Sequence, residues 1–453
     1  MLFLKDPNGL HPVGATRCLV PLEKPIIAGD AKIPGQEDVG LRLEEVSFTT
    51  FYPTHVPPGV KKYRKGLRWL TGPLQTEIAG LGHFAGVSRW MIWLILAPFL
   101  YAYGQFIKIP VYEDAPLLYP SEEGAKWPLV IFSHGLGGSP TTYSQLCVRL
   151  AASGKIVVAM EHRDGTMPSC FAPYNGRNRR LLYIKESEVS WAEKPQDVLQ
   201  LRLDQLTIRQ HEIYTTYTAF AKLVCSSNKD SDFGASVHFV GDLSSEPNFQ
   251  GTWSNAPIDV EDVCLAGHSF GGCTVFSILS SMSPMAPGKN TYPRIPVRDT
   301  LILDPWLEPL PSPGPTPYSD AQDSGHVGFR LLVINSEAFT LWTSHFERLK
   351  ETVKGWGPDA KLVTLLQSAH TSFSDYHVFP LIGNKAGARL MDVISKLSLS
   401  FLNNSSNDWL SESEMKSTAD ILYRMPEKIV TGKWKDGRNR HRLVGEVGQV
   451  VVH

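Results

Sequence analysis

The segment Gly267-His268-Ser269-Phe270-Gly271 places a serine between glycines at G-x-S-x-G spacing. A hydroxyl so placed attacks a carbonyl once a base removes its proton. The pattern alone is weak, because it equally suits a glycine-rich left-handed turn or a phosphate-binding loop without chemistry. Its setting is more specific. Val263 to Ala266 reads as a buried strand running into the motif, and Gly272 to Phe276 reads as the opening of a helix. Ser269 is thereby expected on a sharp strand-to-helix corner, where glycines on either side relieve collisions that a Cβ would create with the neighbouring strand and helix.

A serine nucleophile needs a base, and the base needs a carboxylate to orient it. Asp304 closes the apolar run Thr300 to Leu303 in LILDPW, where Pro305 stops the strand. His370 follows the run Leu362 to Leu366 after Gln367-Ser368-Ala369. The resulting order of Ser, Asp, His, each just past a strand, is the order in which α/β-hydrolases carry their triad. Asp304 also fits a carboxylate that merely caps a turn, and His377 is a rival to His370. An oxyanion developing on the substrate requires two backbone N–H donors. Phe270, directly after the nucleophile, is one candidate. Leu136, within the Gly-rich turn Ser133-His134-Gly135-Leu136-Gly137-Gly138, is the other, although glycine clusters also mark plain turns.

The elements that must position these groups are short apolar runs bounded by Gly, Pro, Asp or Asn: Leu129 to Phe132, Ile156 to Met160, Val263 to Ala266, Thr300 to Leu303, Leu331 to Ile334 and Leu362 to Leu366. Runs of this kind suit strands buried on both faces of a parallel sheet. Leu201 to Leu223 and Arg389 to Phe401 carry apolar residues at helical spacing between or after them. The alternation predicts an α/β fold with a mostly parallel, doubly wound sheet and flanking helices. Residues 1–402 are expected to form a single catalytic domain with an N-terminal extension and insertions. Ser226 to Pro257 is expected to be one such insertion or surface loop. Residues 403–453, polar and then basic, are expected to lie outside the core.

The composition fits this reading. Of 453 residues, 42% are hydrophobic and 20% charged, with a formal net charge of -1. Neither disorder nor a nucleic-acid-binding surface is indicated. Six scattered cysteines without a C-x-x-C pair read as free thiols and give no metal or redox site. The N-terminus meets Lys5, Asp6 and Pro7 before an apolar run of signal-peptide length develops, so a cytoplasmic location is expected. No cofactor is expected.

With these residues in place, the sequence resembles the platelet-activating-factor acetylhydrolases of the plasma and intracellular type II kind. The resemblance rests on PLVIFSHGLGG at Pro128 to Gly138, VVAMEHRDG at Val157 to Gly165, GHSFGG at Gly267 to Gly272, LILDPW at Leu301 to Trp306 and SAHTSFSD at Ser368 to Asp375, with VGAT at Val13 to Thr16 and FYP at Phe51 to Pro53. It implies an α/β-hydrolase that cleaves acetyl or short acyl groups from the sn-2 position of phospholipids without calcium. Ser269 would be the nucleophile, Asp304 the acid, His370 the base, and Leu136 and Phe270 the oxyanion donors. Ser227 to Ile258 and Pro309 to Gly325 do not match. Two other functions share the motif: a carboxylesterase or lipase for neutral esters, and a non-catalytic lipid-binding protein of the same fold.

The basic run at residues 61–69, KKYRKGLRW, precedes WMIWLILAPFLYAY at Trp90 to Tyr103. The latter holds Pro98 and is shorter than the ~20 residues a spanning helix needs. Two readings are open: a buried helix beside solvated lysines, or a peripheral contact with a lipid surface.

Overall fold

The computed structural model describes residues 2–7, 9–56, 62–193, 195, 197–225, 236–243, 249, 251–286, 291–318, 330–404, 420–433 and 439–453. Contacts divide the chain into two compact units: Met1–Val263 with Met282–Pro296, and Cys264–Ser281 with Val297–His453.

The first unit is built on strands β1 (Val13–Lys32), β2 (Val39–Pro53), β3 (Ile107–Glu113), β4 (Trp127–Ser133) and β5 (Ile156–Glu161). They lie in the order β3-β1-β2-β5-β4. β4 and β5 pair in parallel, as their buried LVIF and IVVAM runs require, whereas β1 and β2 form a long antiparallel hairpin and β2 pairs antiparallel with β5. Leu129 to Phe132 and Ile156 to Met160 are all at most 1% exposed. Each such side chain contributes about 1.5–3 kcal/mol through burial. Helices α1 (Ser144–Ala152) and α2 (Gln200–Val224) belong to this unit. The helix expected from Leu201 to Leu223 is therefore present, one residue longer at each end.

Strand β6 (Ile258–His268) contributes its first half to the first unit and its second half to the second. In the second unit it is followed by helix α3 (Phe270–Leu279) and strands β7 (Val297–Leu303), β8 (Arg330–Ser336) and β9 (Ala360–Leu365). β7, β8 and β9 pair in parallel in chain order. Helices α4 (Glu337–Thr340), α5 (Thr343–Gly355) and α6 (Lys385–Asn403) accompany them. The parallel strands, with helices between, follow the α/β-hydrolase pattern. The sheets are mixed, through the antiparallel β1–β2 hairpin and the antiparallel last strand.

That last strand corrects one expectation. The chain beyond residue 402 was expected outside the core, but β10 (Val450–Val452) pairs antiparallel with β9, and Val450 and Val451 are fully buried. Basic composition hid this, because the charged residues fall on the exposed hairpin Lys428–Lys433 with Asn439–Leu443, whereas the apolar VVV run is only three residues long. Half of the Ser226 to Pro257 segment lies outside the described residues, as do the end of Pro309 to Gly325 and Lys61. Within the former, Trp253 is fully buried and Phe239 pairs with β1, so that segment is not a surface loop throughout.

Helix α3 can approach β7 only because residue 272 lacks a side chain. A Cβ on Gly272 would lie 2.8 Å from Ile302 Cγ2 and 3.2 Å from Pro305 Cβ. Gly272→Ala is expected to destabilise the protein by about 1–3 kcal/mol through overpacking, and to cost less in a chain that also carries Ile302→Ala, which removes the Cγ2 that the new methyl would meet. Urea unfolding of the two single variants and the double variant checks this, and additive losses would show that the two positions do not meet.

Candidate active site

Ser269 stands between the end of β6 and the start of α3, with φ 56° and ψ -118°. This left-handed geometry is costly for a residue with a side chain. It is held by backbone bonds on both sides. Ser269 N–H donates to Leu303 O at 2.9 Å, and its own carbonyl accepts from Cys273 N–H at 3.0 Å and from Trp306 N–H at 3.2 Å. A Cβ on Gly267 would sit 2.4 Å from the Gly271 carbonyl oxygen. Gly267 is thus required for contact with the following helix, as Gly272 is for contact with β7.

The structure brings Ser269, Asp304 and His370 together, all within the second unit. His370 Nδ1–H donates to Asp304 Oδ2 at 2.7 Å. With that nitrogen carrying the proton, Nε2 is an acceptor, and Ser269 Oγ–H donates to it at 2.9 Å. The rival His377 is engaged elsewhere, 2.8 Å from Thr371 Oγ1. Asp304 is fully buried and itself left-handed, with φ 46°. Its Oδ1 accepts the Ser336 backbone N–H at 2.6 Å, and its Oδ2 accepts the Ser336 hydroxyl at 2.7 Å. That hydroxyl also caps α4, accepting the Phe339 N–H at 3.1 Å. Its own proton is therefore directed at Asp304.

The imidazole of His370 keeps one-third of its side chain exposed, so a substrate can reach it. Phe339 stacks flat on it, with centroids 4.3 Å apart and planes 5° apart. His268 lies near it at 4.6 Å and donates from Nε2 to the His370 carbonyl at 3.0 Å. His268, Asp304 and His370 form a cluster whose nitrogen and oxygen atoms lie within 4.8 Å of one another, a spacing that a metal ion could use. The donor set does not suit one. Both His370 nitrogens and His268 Nε2 are committed to hydrogen bonds, and a protonated nitrogen cannot ligate.

Of the two expected oxyanion donors, Phe270 opens α3 beside Ser269. Leu136 belongs to the first unit, in a turn after β4 fixed by Gly137 N–H to Thr166 O at 2.8 Å and Gly138 N–H to Gly135 O at 3.1 Å. Behind this turn, Arg209 donates to the His134 carbonyl at 2.7 Å and to Asp164 Oδ2 at 2.7 Å. The same unit holds a second serine, histidine and carboxylate in line. Ser133 Oγ is 2.8 Å from His162 Nε2, and His162 Nδ1 is 2.5 Å from Glu212 Oε2. All three side chains are fully buried.

Sequence reasoning did not find Ser336, which donates to the Asp304 carboxylate, or Phe339, which stacks on the His370 ring. A signal was there: a serine two positions after the apolar run Leu331 to Ile334, at the N-cap of a helix, lies at the same end of the strands as Asp304 and His370.

These features define an α/β-hydrolase. A structural relative agrees: ferulic acid esterase from Streptomyces cinnamoneus superposes with a TM-score of 0.52 over 89% of this chain and 92% of its own, at 15% identity. Residues 5–419 match the family described as platelet-activating factor acetylhydrolase, isoform II, and the chain belongs to that family. Similar curated proteins are the platelet-activating factor acetylhydrolase of Canis lupus familiaris, 29% identical over 71% of this chain and 66% of the relative, and that of Bos taurus, 29% identical over 83% and 77%. A putative phospholipase A2 of Schizosaccharomyces pombe is 28% identical over 59% of this chain and 58% of its own length. The chain thus matches just under two thirds of the dog relative and more of the cattle one.

Burial near the site has a consequence for acid stability. It pushes His345 down to about 4 and His268 well below the usual histidine value, and in the first unit it pushes His134 down to about 3. The unfolded chain then takes up protons first. Stability is full above about pH 6.5 and falls as the pH drops toward 4, by up to about 1.4 kcal/mol per pH unit for each such histidine. Urea midpoints measured at pH 7.5, 6 and 5 are expected to fall in that order, and a flat series would mean that these rings are not held neutral.

Proposed function

We propose that the chain is a serine esterase acting on phospholipids, with Ser269 as nucleophile, His370 as base, Asp304 as its orienting acid, and the N–H groups of Phe270 and Leu136 as oxyanion donors. The observation that carries this reading is the unbroken hydrogen-bond line from Asp304 through a partly exposed His370 to a left-handed serine. His370 Nε2 takes the Ser269 proton as Oγ attacks the ester carbonyl. The alkoxide that forms is stabilised by the two backbone donors, each worth about 3 kcal/mol. His370 then gives its proton to the departing lysolipid oxygen. Water, deprotonated by the same nitrogen, attacks the acyl-enzyme and releases the carboxylic acid. Asp304 keeps Nδ1 protonated throughout, so that Nε2 faces the serine. Every proton transfer uses the chain's own groups, and the reaction runs without calcium. The substrate class, an acetyl or short acyl ester at the sn-2 position of platelet-activating factor and related phospholipids, is supported by family membership.

Ser269→Ala is expected to abolish hydrolysis of a short sn-2 phosphatidylcholine with the fold unchanged by circular dichroism, and Asp304→Asn is expected to lower kcat by about 10³-fold or more through the wrong imidazole tautomer. Retention of near-normal rates by either variant overturns its assigned role. A series of sn-2 chain lengths, run in EDTA beside a triglyceride and a soluble aryl ester, tests the substrate class. Preference for the neutral esters would make the protein a general carboxylesterase, and a folded protein that takes no fluorophosphonate label would make it a binding protein.

The enzyme is further proposed to rest on a lipid surface through residues 90–101. Ile92, Ala97 and Leu100 of this helical stretch are buried, whereas Trp90, Trp93, Leu94, Ile95, Phe99 and Tyr101 are each at least 41% exposed. Aromatic and aliphatic side chains exposed along one helical stretch suit the interface of a phospholipid layer. The upstream basic run contributes less than its composition suggested. Lys65–Arg68 is a strand paired with β3, Lys65 is bonded to Asp6, and Trp69 is buried. Among the described residues no helix is long and apolar enough to cross a membrane. A reducing compartment, such as the cytoplasm, fits the six cysteines, all free. Leu94→Glu with Ile95→Glu is expected to cut binding to phosphatidylcholine vesicles at least tenfold while leaving hydrolysis of a monomeric ester intact. Unchanged vesicle sedimentation would remove this surface from consideration.

A further inference from the structure

The family match ends at residue 419, yet the chain that follows returns to the side of the sheet that carries His370. Four residues separate the last residue of β9, Leu365, from that histidine, and they are held from several directions. Gln367 is left-handed, with φ 56°, a conformation that a glutamine adopts only where its surroundings enforce it. Its backbone N–H donates to Glu337 Oε2 at 2.7 Å, and its side-chain Nε2 donates to the Gly445 carbonyl at 2.5 Å. The other Glu337 oxygen accepts the Leu443 N–H at 3.1 Å. On either side of Gln367, Leu366 N–H donates to Gln449 O at 2.9 Å and Gly448 N–H donates to Leu366 O at 3.2 Å. Leu366, Leu443 and Val451 pack together as a buried apolar cluster.

We infer that residues 439–453 are a brace for the histidine loop, and that Glu337 and Gln367 are positioning residues acting through it on His370. The inference rests on the reading of His370 as the base. One buried carboxylate ties together the start of α4, which supplies Ser336 to Asp304 and Phe339 to the imidazole, the histidine loop and the C-terminal chain. The neighbouring hairpin stands off from this junction across a cavity of about 840 Å³ walled by Trp342, Arg440 and Arg442. The coupling is therefore concentrated in Glu337, Gln367 and the short stretch Leu443 to Val450. Imidazole geometry is the quantity it controls, because an error of about 1 Å in a reacting group costs rate rather than binding.

The test uses the full chain with Glu337→Gln, Gln367→Ala and Gln367→Lys. Glu337→Gln keeps the shape of the side chain but turns an amino group toward one of the two N–H donors. Gln367→Ala removes the bond to Gly445, and Gln367→Lys restores a donor to it. Active enzyme is counted by fluorophosphonate titration, so that loss of folded protein is separated from loss of rate. For Glu337→Gln and Gln367→Ala the expected result is a kcat per active site lowered about tenfold, with KM changed less than twofold and the pH profile of kcat displaced, and Gln367→Lys should recover most of the rate. A kcat per active site unchanged in both damaging variants overturns the brace, as does a loss confined to thermal stability. Ser269→Ala and His370→Ala run in parallel separate the two claims. If they abolish hydrolysis while the brace variants keep kcat, only the brace fails, and if they retain hydrolysis, the reading of the site fails.

Discussion

At the strand ends that carry the site, three residues with side chains are forced into left-handed backbone: Ser269 after β6, Asp304 after β7 and Gln367 after β9. Each departs from the extended geometry of its strand and costs about 1–2 kcal/mol against a right-handed alternative. Each is held by its own N–H. Ser269 donates to Leu303 O, Asp304 to Ile334 O and Gln367 to the Glu337 carboxylate. The first two acceptors belong to the next parallel strand, so the ladder that builds the sheet also bends the chain at its edge. The site exists because that edge turns in the same way three times.

The turn at Asp304 shows how few atoms the arrangement needs. Ser336 is the last residue of β8, the cap of α4 and a double donor to the Asp304 carboxylate. The direction of its proton follows from its acceptance of the Phe339 N–H. Three residues later the same short helix presents Phe339 to the face of His370. The acid is therefore fixed in position and the base in ring plane by one turn of chain, whose start is set by the register of β7 against β8.

Much of this was legible in the sequence for a physical reason. Strands buried on both faces are apolar throughout, so LVIF, IVVAM, VCLA, TLIL, LLVI and LVTLL stand out, and the residue that ends each run falls at the edge where chemistry is done. Asp304 directly follows such a run, and Ser269 and His370 come within four positions of the end of theirs. What escaped lacks such a signature. β1 carries Pro21 and Pro25 and faces solvent over part of its length, which dilutes its pattern. β10 is three valines at the end of a basic stretch. The contribution of Glu337 comes from two long-range backbone partners, Gln367 and Leu443, which no local spacing reveals. Trp69 looked like an interfacial aromatic because of its basic neighbours, but it closes a strand and points inward.

The buried line of Ser133, His162 and Glu212 clarifies what the proposed catalytic line has that a structural one lacks. Its distances, 2.8 Å and 2.5 Å, are as short as those from Ser269 to His370 and Asp304. Its setting differs in every other respect. Ser133 is the last residue of a regular strand and carries no left-handed strain. His162 is fully buried, and desolvation holds it far below its usual value, while desolvation and the nearby Asp164 raise Glu212. A ring so deprived of water resists becoming the imidazolium that acyl transfer requires. Arg209, fully buried within hydrogen-bonding reach of the Ser133 hydroxyl at 3.4 Å, adds a positive charge that opposes a second one on His162. Hydrogen-bond geometry is therefore not what separates a catalytic line from a structural one. Access to the imidazole, together with a serine held out from its strand, is what His370 and Ser269 have and His162 and Ser133 lack.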